Sequence, residues 1–408
     1  MLQVAIVGAG PAGLYAAERL AKGGAAVVVL DRLPAPFGLV RYGVASDHQT
    51  TKQVDRVLGR VFQKGATFLG GLEFGRDVTL AALREAFDAV VLATGAPQER
   101  ALGVPGEELA GVLSSAAFTG WLNGHPDRAA CPLPEAAIEE VAIVGAGNVA
   151  LDVARLLAKT AEELNGSDLS PQAGERLASL PLRRVTILAR RGPESVRFTP
   201  HELGEFARLS RARPVVDPAD LPPAAEGEDE VMQLLRRYAE PAEAKPLELR
   251  FRFHAVPQAF LGEGGRLAAL EIETPAGRER LPAQLAVTCI GYGAPGFPEL
   301  PAEDGRFANE GGRIAGRLYV VGWAGRGPSG TIPTNRAESH AVAERLLAEV
   351  QPGDRPGLEA FPAELRARAW SFADWQALDA AEKAAAGEGR VRRKLATWDE
   401  LEGFRKGR

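Results

Sequence analysis

Two short glycine-rich runs carry the most specific chemistry in the sequence. The first, Gly8-Ala9-Gly10-Pro11-Ala12-Gly13, has G-x-G-x-x-G spacing. In such a run Gly8 permits a tight turn, Gly10 lets backbone approach a pyrophosphate, and Gly13 lets helix pack on strand. The second, Gly145-Ala146-Gly147-Asn148-Val149-Ala150, closes on alanine, a variant the fingerprint allows. What separates the two stands at the end of the strand that follows each. Asp31 closes the first unit, where a carboxylate accepts hydrogen bonds from a ribose 2′-hydroxyl and repels a 2′-phosphate, so the site suits FAD or NAD. Arg190-Arg191 follow Leu188-Ala189 in the second, where two guanidinium groups can hold a dianionic 2′-phosphate and select NADP. Two nucleotides of different kind in one chain are what a hydride relay between NADPH and a flavin requires. An unliganded glycine turn or a pair of solvent-facing arginines would explain either fragment alone, but not both in matching settings.

Each fingerprint needs a strand before it, a helix behind it and a second strand to carry the discriminating residue. Apolar periodicity predicts those elements for the first unit as strand 3–7, helix 14–22 and strand 26–30. For the second it predicts a strand through Val141-Ala142-Ile143-Val144, helix 149–159 and strand 185–188. The βαβ device thus occurs twice, and two dinucleotide-binding folds are expected, because each glycine turn seats one pyrophosphate on its helix terminus. Between them, residues 89–95 read as a buried parallel strand ending at a glycine, and Pro97, Gly103, Pro105 and Gly106 mark a hinge near 97–106. Residues 285–290 read as a further buried strand, with the breaker-rich stretch 291–296 as a return crossing. Residues 214–230 read as an irregular loop, 335–349 as a helix, and the chain from Arg366 as helical, with its charged end 390–408 a solvated face.

A chain of 408 residues is too long for one ordinary core and has room for two or three domains. Its formal net charge of -5 gives no support to nucleic-acid binding, which needs a broad basic surface. Cys131 and Cys289 form no C-x-x-C pair, so neither a dithiol redox centre nor a cysteine-bound cluster is encoded, and electrons must travel on a bound cofactor. No basic leader precedes the apolar stretch Val4-Ala5-Ile6-Val7, and no apolar run reaches membrane-spanning length, so a cytoplasmic protein is expected.

The run Pro36-Phe37-Gly38-Leu39-Val40-Arg41-Tyr42-Gly43-Val44-Ala45-Ser46-Asp47-His48 resembles a motif of the adrenodoxin reductase-like ferredoxin–NADP reductases. So do residues 147–155, Arg190-Arg191-Gly192-Pro193, Gly322-Trp323 with 326–330, and Trp370-Ser371-Phe372-Ala373-Asp374-Trp375, in family order over essentially the whole chain. The resemblance implies an α/β fold of two Rossmann-like, glutathione-reductase-like domains, with an NADP domain inserted into a discontinuous FAD domain. In this chain that division reads as 1–103 and 294–408 for FAD and 104–293 for NADP. For FAD the resemblance adds Ala12, Leu39, Leu72, Trp323 and Gly330-Thr331-Ile332 to the first glycine turn and Asp31. For NADP it implies Ala146, Gly147, Asn148, Val149, Arg190, Arg191 and Glu202, with Gly330 near the nicotinamide. Three departures stand out: Asp31 where glutamate is usual, Leu72 where valine is common, and Ser46 where proline precedes the Asp-His pair.

The activity so implied is hydride transfer between NADPH and FAD, followed by single-electron transfers between FAD and a ferredoxin-type iron–sulfur protein. His48, Asp152 and Glu205 are expected near the flavin, where His48 could tune its potential or handle a proton. No metal or nucleophile is required. Arg208, Arg211, Arg213, Arg236 and Arg237 are candidates for docking an acidic ferredoxin, although an exposed helix face accounts for them equally well. Two rival functions share part of the pattern: an NADPH-oxidising electron-input subunit of a glutamate-synthase-like complex, and a non-catalytic flavin-binding sensor. Relatives of the former usually bring cysteine-bound clusters, and the latter has no use for the arginine pair.

Overall fold

The structure is a computed structural model that describes residues 1–297 and 299–408. Its core is divided between two six-stranded sheets. In the first, the strands run in the order Arg313–Ala315, Leu318–Val320, Ala89–Leu92, Gln3–Val7, Ala26–Asp31 and Thr67–Gly70. Gln3–Val7 lies parallel to both neighbours, pairing Val4 with Val27 and with Ala89. Two segments more than 200 residues apart thus build one sheet. A strand sandwiched between parallel partners is apolar throughout, and Val4, Ala5 and Ile6 are fully buried.

The second sheet has the order Val112–Ser114, Leu285–Thr288, Glu140–Val144, Arg184–Leu188, Leu247–Arg252 and Ala212–Val215. All its strands lie between the two contributions to the first. A three-stranded antiparallel meander, Val256–Glu263, Arg266–Thr274 and Gly277–Pro282, lies beside it. The outgoing and returning crossings pair with each other, Gln98–Glu99 antiparallel to Tyr292–Gly293. Side chains reinforce this connection: the Ser114 hydroxyl donates to Glu99 Oε1 at 2.5 Å, and Ser115 Oγ lies 2.5 Å from the Tyr292 hydroxyl.

Three expectations change. Helices begin earlier than the apolar pattern indicated, at Pro11 and Ile332, because proline fits the first helical turn where no amide partner is needed. Pro214 and Val215 are not loop but the end of an edge strand, where a missing amide is tolerated. The charged tail is a solvated face only in part: Arg393, Asp399, Glu400, Glu402, Lys406 and Arg408 are exposed, but Lys394 is buried and Arg392 pairs with Asp379. No helix among the described residues is long and apolar enough to cross a membrane.

Candidate two-nucleotide site

The first glycine turn is fixed by the residue that discriminates its ligand. Asp31 Oδ2 accepts the Ala9 amide at 2.7 Å while Oδ1 accepts that of Leu33 at 2.9 Å. Burial raises the Asp31 pKa against these two bonds. The Phe37 amide donates to Ala9 O at 2.8 Å, which brings Leu39, half exposed, alongside the turn. The Leu72 amide bonds Asp31 O at 3.0 Å and its side chain is buried. From the distant second segment, Gly322 packs so tightly on Ala12 that a Cβ there would collide with it. Trp323 Nε1 donates to Ser329 O at 2.9 Å and so fixes the loop that leads into Gly330, Thr331 and the helix Ile332–Glu349. Ala12, Asp31 and Leu72 are thereby tied to one turn, and Leu39 and Trp323 directly follow Gly38 and Gly322, the residues that pack on it.

The second turn repeats the arrangement. Gly145 adopts φ +135° with its amide on Leu188 O at 2.9 Å, and a Cβ there would run into the Cys289 carbonyl. Arg190 and Arg191 leave the strand Arg184–Leu188 exposed, with no ion-pair partner among the described residues. The chain then folds back over the turn. The Arg197 amide donates to Ala146 O at 2.9 Å, and the Thr199 amide to Asn148 Oδ1 at 2.8 Å.

Between the two halves lies a charged cluster built around Arg155, whose side chain is 1% exposed. Its guanidinium reaches Asp47 at 2.9 Å, Asp152 at 2.7 Å, Glu202 at 3.1 Å and Glu205 at 3.0 Å. Lys159 adds a second cation to Asp47 at 2.6 Å. His48 Nε2 lies 3.2 Å from Glu205 Oε2 and 3.8 Å from Glu202 Oε2, and Nδ1 lies 3.9 Å from Asp152. His48, Asp152 and Glu205 therefore do come together, and Glu202 joins them, its carboxylate turned to Arg155. Burial and the Glu202 charge push the Asp152 carboxyl up to about 6. Burial disfavours charge on His48, but the Glu205 hydrogen bond and nearby carboxylates outweigh it and the pKa is raised. Asp47, Arg155 and Lys159 were not singled out from sequence. The i, i+3 spacing of Asp152 and Arg155 and the adjacency of Asp47 to His48 were the available signals.

His48, Glu202 and Glu205 have spacing that could hold a metal ion. The carboxylate oxygens of both glutamates already face Arg155, so the chain's own guanidinium fills the cationic role. Of the proposed docking arginines, three serve the fold. Arg211 donates to the Leu157 and Ala158 carbonyls at the end of the helix Asn148–Ala158. Arg213 bonds Ala242 O and Arg236 pairs with Glu228. Arg208 and Arg237 remain exposed.

The residues present fit two dinucleotides. A Cβ built on Gly10 or Gly147 meets nothing within 4 Å, so open space lies over both turns. Neither following helix has a side-chain cap, which leaves its first amides free for phosphate oxygens. Beside Gly8, the buried Thr94 Oγ1 has no hydrogen-bond partner among the described residues.

Fold and site together define a two-nucleotide flavin oxidoreductase. A family match to "Pyridine nucleotide-disulphide oxidoreductase" covers residues 2–213. Human mitochondrial NADPH:adrenodoxin oxidoreductase is 38% identical, covering 98% of this chain and 91% of the relative. NADPH-ferredoxin reductase FprA of Mycobacterium tuberculosis is 36% identical over 98% of both. The solved structure of that FprA in complex with NADPH superimposes with a TM-score of 0.92 at 33% identity, covering 100% of each chain. The chain belongs to the adrenodoxin reductase and FprA-like family of ferredoxin–NADP reductases, and FAD and NADP are its cofactors.

Proposed function

We propose that this chain is a ferredoxin–NADP(+) reductase, moving electrons between NADPH and a ferredoxin-type iron–sulfur protein. The observation that carries the reading is the pair of glycine turns with opposite strand-end chemistry, Asp31 in one and exposed Arg190-Arg191 in the other. When bound, FAD supplies the conversion between a two-electron hydride donor and one-electron acceptors.

The chain's own residues bind, orient and balance charge. Gly8, Gly10, Ala12, Gly13, Asp31, Leu39, Leu72, Trp323, Gly330, Thr331 and Ile332 hold FAD. Ala146, Gly147, Asn148, Val149, Arg190, Arg191 and Glu202 hold NADP, with Gly330 at the nicotinamide end. His48 is a positioning residue with a proton at hand, its charge set by Glu205, Asp152 and Asp47. Domain divisions after residues 103 and 293 place the paired crossings Gln98–Glu99 and Tyr292–Gly293 at the boundary between the halves. The partner is a transiently bound ferredoxin, and the setting is cytoplasmic.

Anaerobic titration of the purified yellow protein with NADPH should bleach its flavin absorbance, and an unbleached spectrum would defeat the reading. Cytochrome c reduction should then depend on added ferredoxin; a rate indifferent to ferredoxin would remove the iron–sulfur partner.

A further inference from the structure

The loop from Arg190 to Thr199 carries three exposed guanidinium groups, and the first two are not placed like the third. Arg190 and Arg191 sit at the end of the strand Arg184–Leu188, where a Rossmann unit meets the adenosine ribose. Past the turn Pro193–Ser195 the chain doubles back. There the Arg197 amide is held on Ala146 O at 2.9 Å, inside the glycine turn itself, and the Thr199 amide on Asn148 Oδ1 at 2.8 Å. These two bonds fix the backbone of residue 197 against the start of the helix Asn148–Ala158. Its side chain is exposed and has no hydrogen-bond or ion-pair partner among the described residues.

Electrostatics gives that free cation a task. The helix terminus offers only about half a unit of positive charge. A turn further on, the helix presents Asp152, and in the cluster beyond, four carboxylates (Asp47, Asp152, Glu202 and Glu205) face two permanent cations, Arg155 and Lys159. A pyrophosphate with two negative charges approaching this turn meets an acidic background. Open space above Gly147 lets it come close, and Arg197 is an unpaired cation whose backbone is bonded to the turn.

We propose that Arg197 is a third phosphate-binding guanidinium, assigned to the pyrophosphate of NADP(H) and not to its 2′-phosphate. The inference rests on the NADP reading of the second glycine turn. Because the pyrophosphate is common to NADPH and NADH, Arg197 sets affinity for both, whereas Arg190 and Arg191 set the preference between them.

The test is isothermal titration of the flavin-loaded protein with NADP(+), alongside steady-state rates with NADPH and NADH. Arg197→Ala should raise the NADP(+) Kd about three- to tenfold, the range for a partly solvated charge-assisted contact, and leave the NADPH-to-NADH preference unchanged. Arg197→Lys, which keeps the charge but not the fork, should recover part of the loss. An unaltered Kd overturns the proposal, and so does a loss confined to NADP(+) and NADPH, which would move Arg197 to the 2′-phosphate. In the same assay Arg190→Ala with Arg191→Ala should weaken NADPH far more than NADH. Failure of that control would sink the NADP reading itself, separately from the role of Arg197.

Discussion

Arg155 decides how its neighbours ionise. Its guanidinium serves Asp47, Asp152, Glu202 and Glu205 together, and with four carboxylates on two permanent cations one acid is left poorly compensated. That acid is Asp152, whose carboxyl is pushed up to about 6 by burial first and by the Glu202 charge second, against Arg155. A folded pKa above the unfolded value of about 3.9 means that the native state binds the proton more tightly. The stabilisation is complete below about pH 4 and is lost as pH rises through 6. Asp152→Asn removes this loss, so the melting temperature of the variant relative to the parent should climb by roughly 2–4 °C between pH 4.5 and 7.5. A constant offset across that range would show that Asp152 is ionised throughout. The ligand-discriminating residues were legible in the sequence because each stands at or just past the end of the strand that completes the βαβ unit opened by its glycine turn. Of the Arg155 cluster, only the meeting of His48, Asp152 and Glu205 was expected, and that from the family resemblance; the place of Arg155, Asp47 and Lys159 at its centre was not, since no local pattern encodes contacts between segments so far apart.

At the scale of elements, each glycine turn separates positions the fold needs from positions the ligand needs. Gly145 has φ +135° and its missing Cβ makes room for the Cys289 carbonyl, so Gly145→Ala should cost on the order of 1–3 kcal/mol in strain and lower the melting temperature. Gly147 is extended, at φ -122° and ψ 176°, a conformation any residue adopts, and no atom lies within 4 Å of where a Cβ would stand. Gly147→Ala should therefore melt with the parent while weakening NADPH about tenfold or more, because the added methyl occupies the space over the turn. Equal melting losses for the two variants would refute the distinction. The βαβ units were readable because their apolar strands and glycine spacing are local. Helix starts were misplaced where Pro11 and Pro333 extend a helix without adding to its apolar stripe.

Across the whole molecule, the carboxy-terminal segment binds the two halves together. Its helix Phe372–Ala384 packs on the flavin half, with Trp375 edge-on to Phe37 at 5.8 Å between centroids. The chain then crosses to the nicotinamide half, where the Gly389 carbonyl accepts the Gly166 amide at 2.7 Å and the Val391 amide bonds Ser167 O at 3.1 Å. Finally the helix Trp398–Lys406 returns to stack Phe404 on Trp370. Composition pointed to a solvated tail because its charges are many, and most of them are exposed; the burial of Lys394 depends on partners far away in sequence.

The centre of this strap is Asp168, buried and 2.8 Å from both Lys52 of the flavin half and Lys394 of the tail. Burial would raise its carboxyl, but the two ammonium groups hold it down at about 2, while burial lowers both lysines. The three groups are therefore unequal. Asp168→Asn leaves two buried ammonium groups without a counter-charge and should cost about 3–5 kcal/mol in urea unfolding. Lys394→Met removes one of two like charges while the Lys52 pair survives, so its cost should be far smaller, about 1 kcal/mol or less. Limited proteolysis gives a second readout: Asp168→Asn should be cut within residues 385–397 well before the parent, whereas Lys394→Met should resist. If Lys394→Met proves as damaging as Asp168→Asn, the tail is held by the lysine's own bonds to the Arg41 and Asn123 carbonyls, at 3.2 and 3.0 Å, and the shared aspartate is not the centre of the strap.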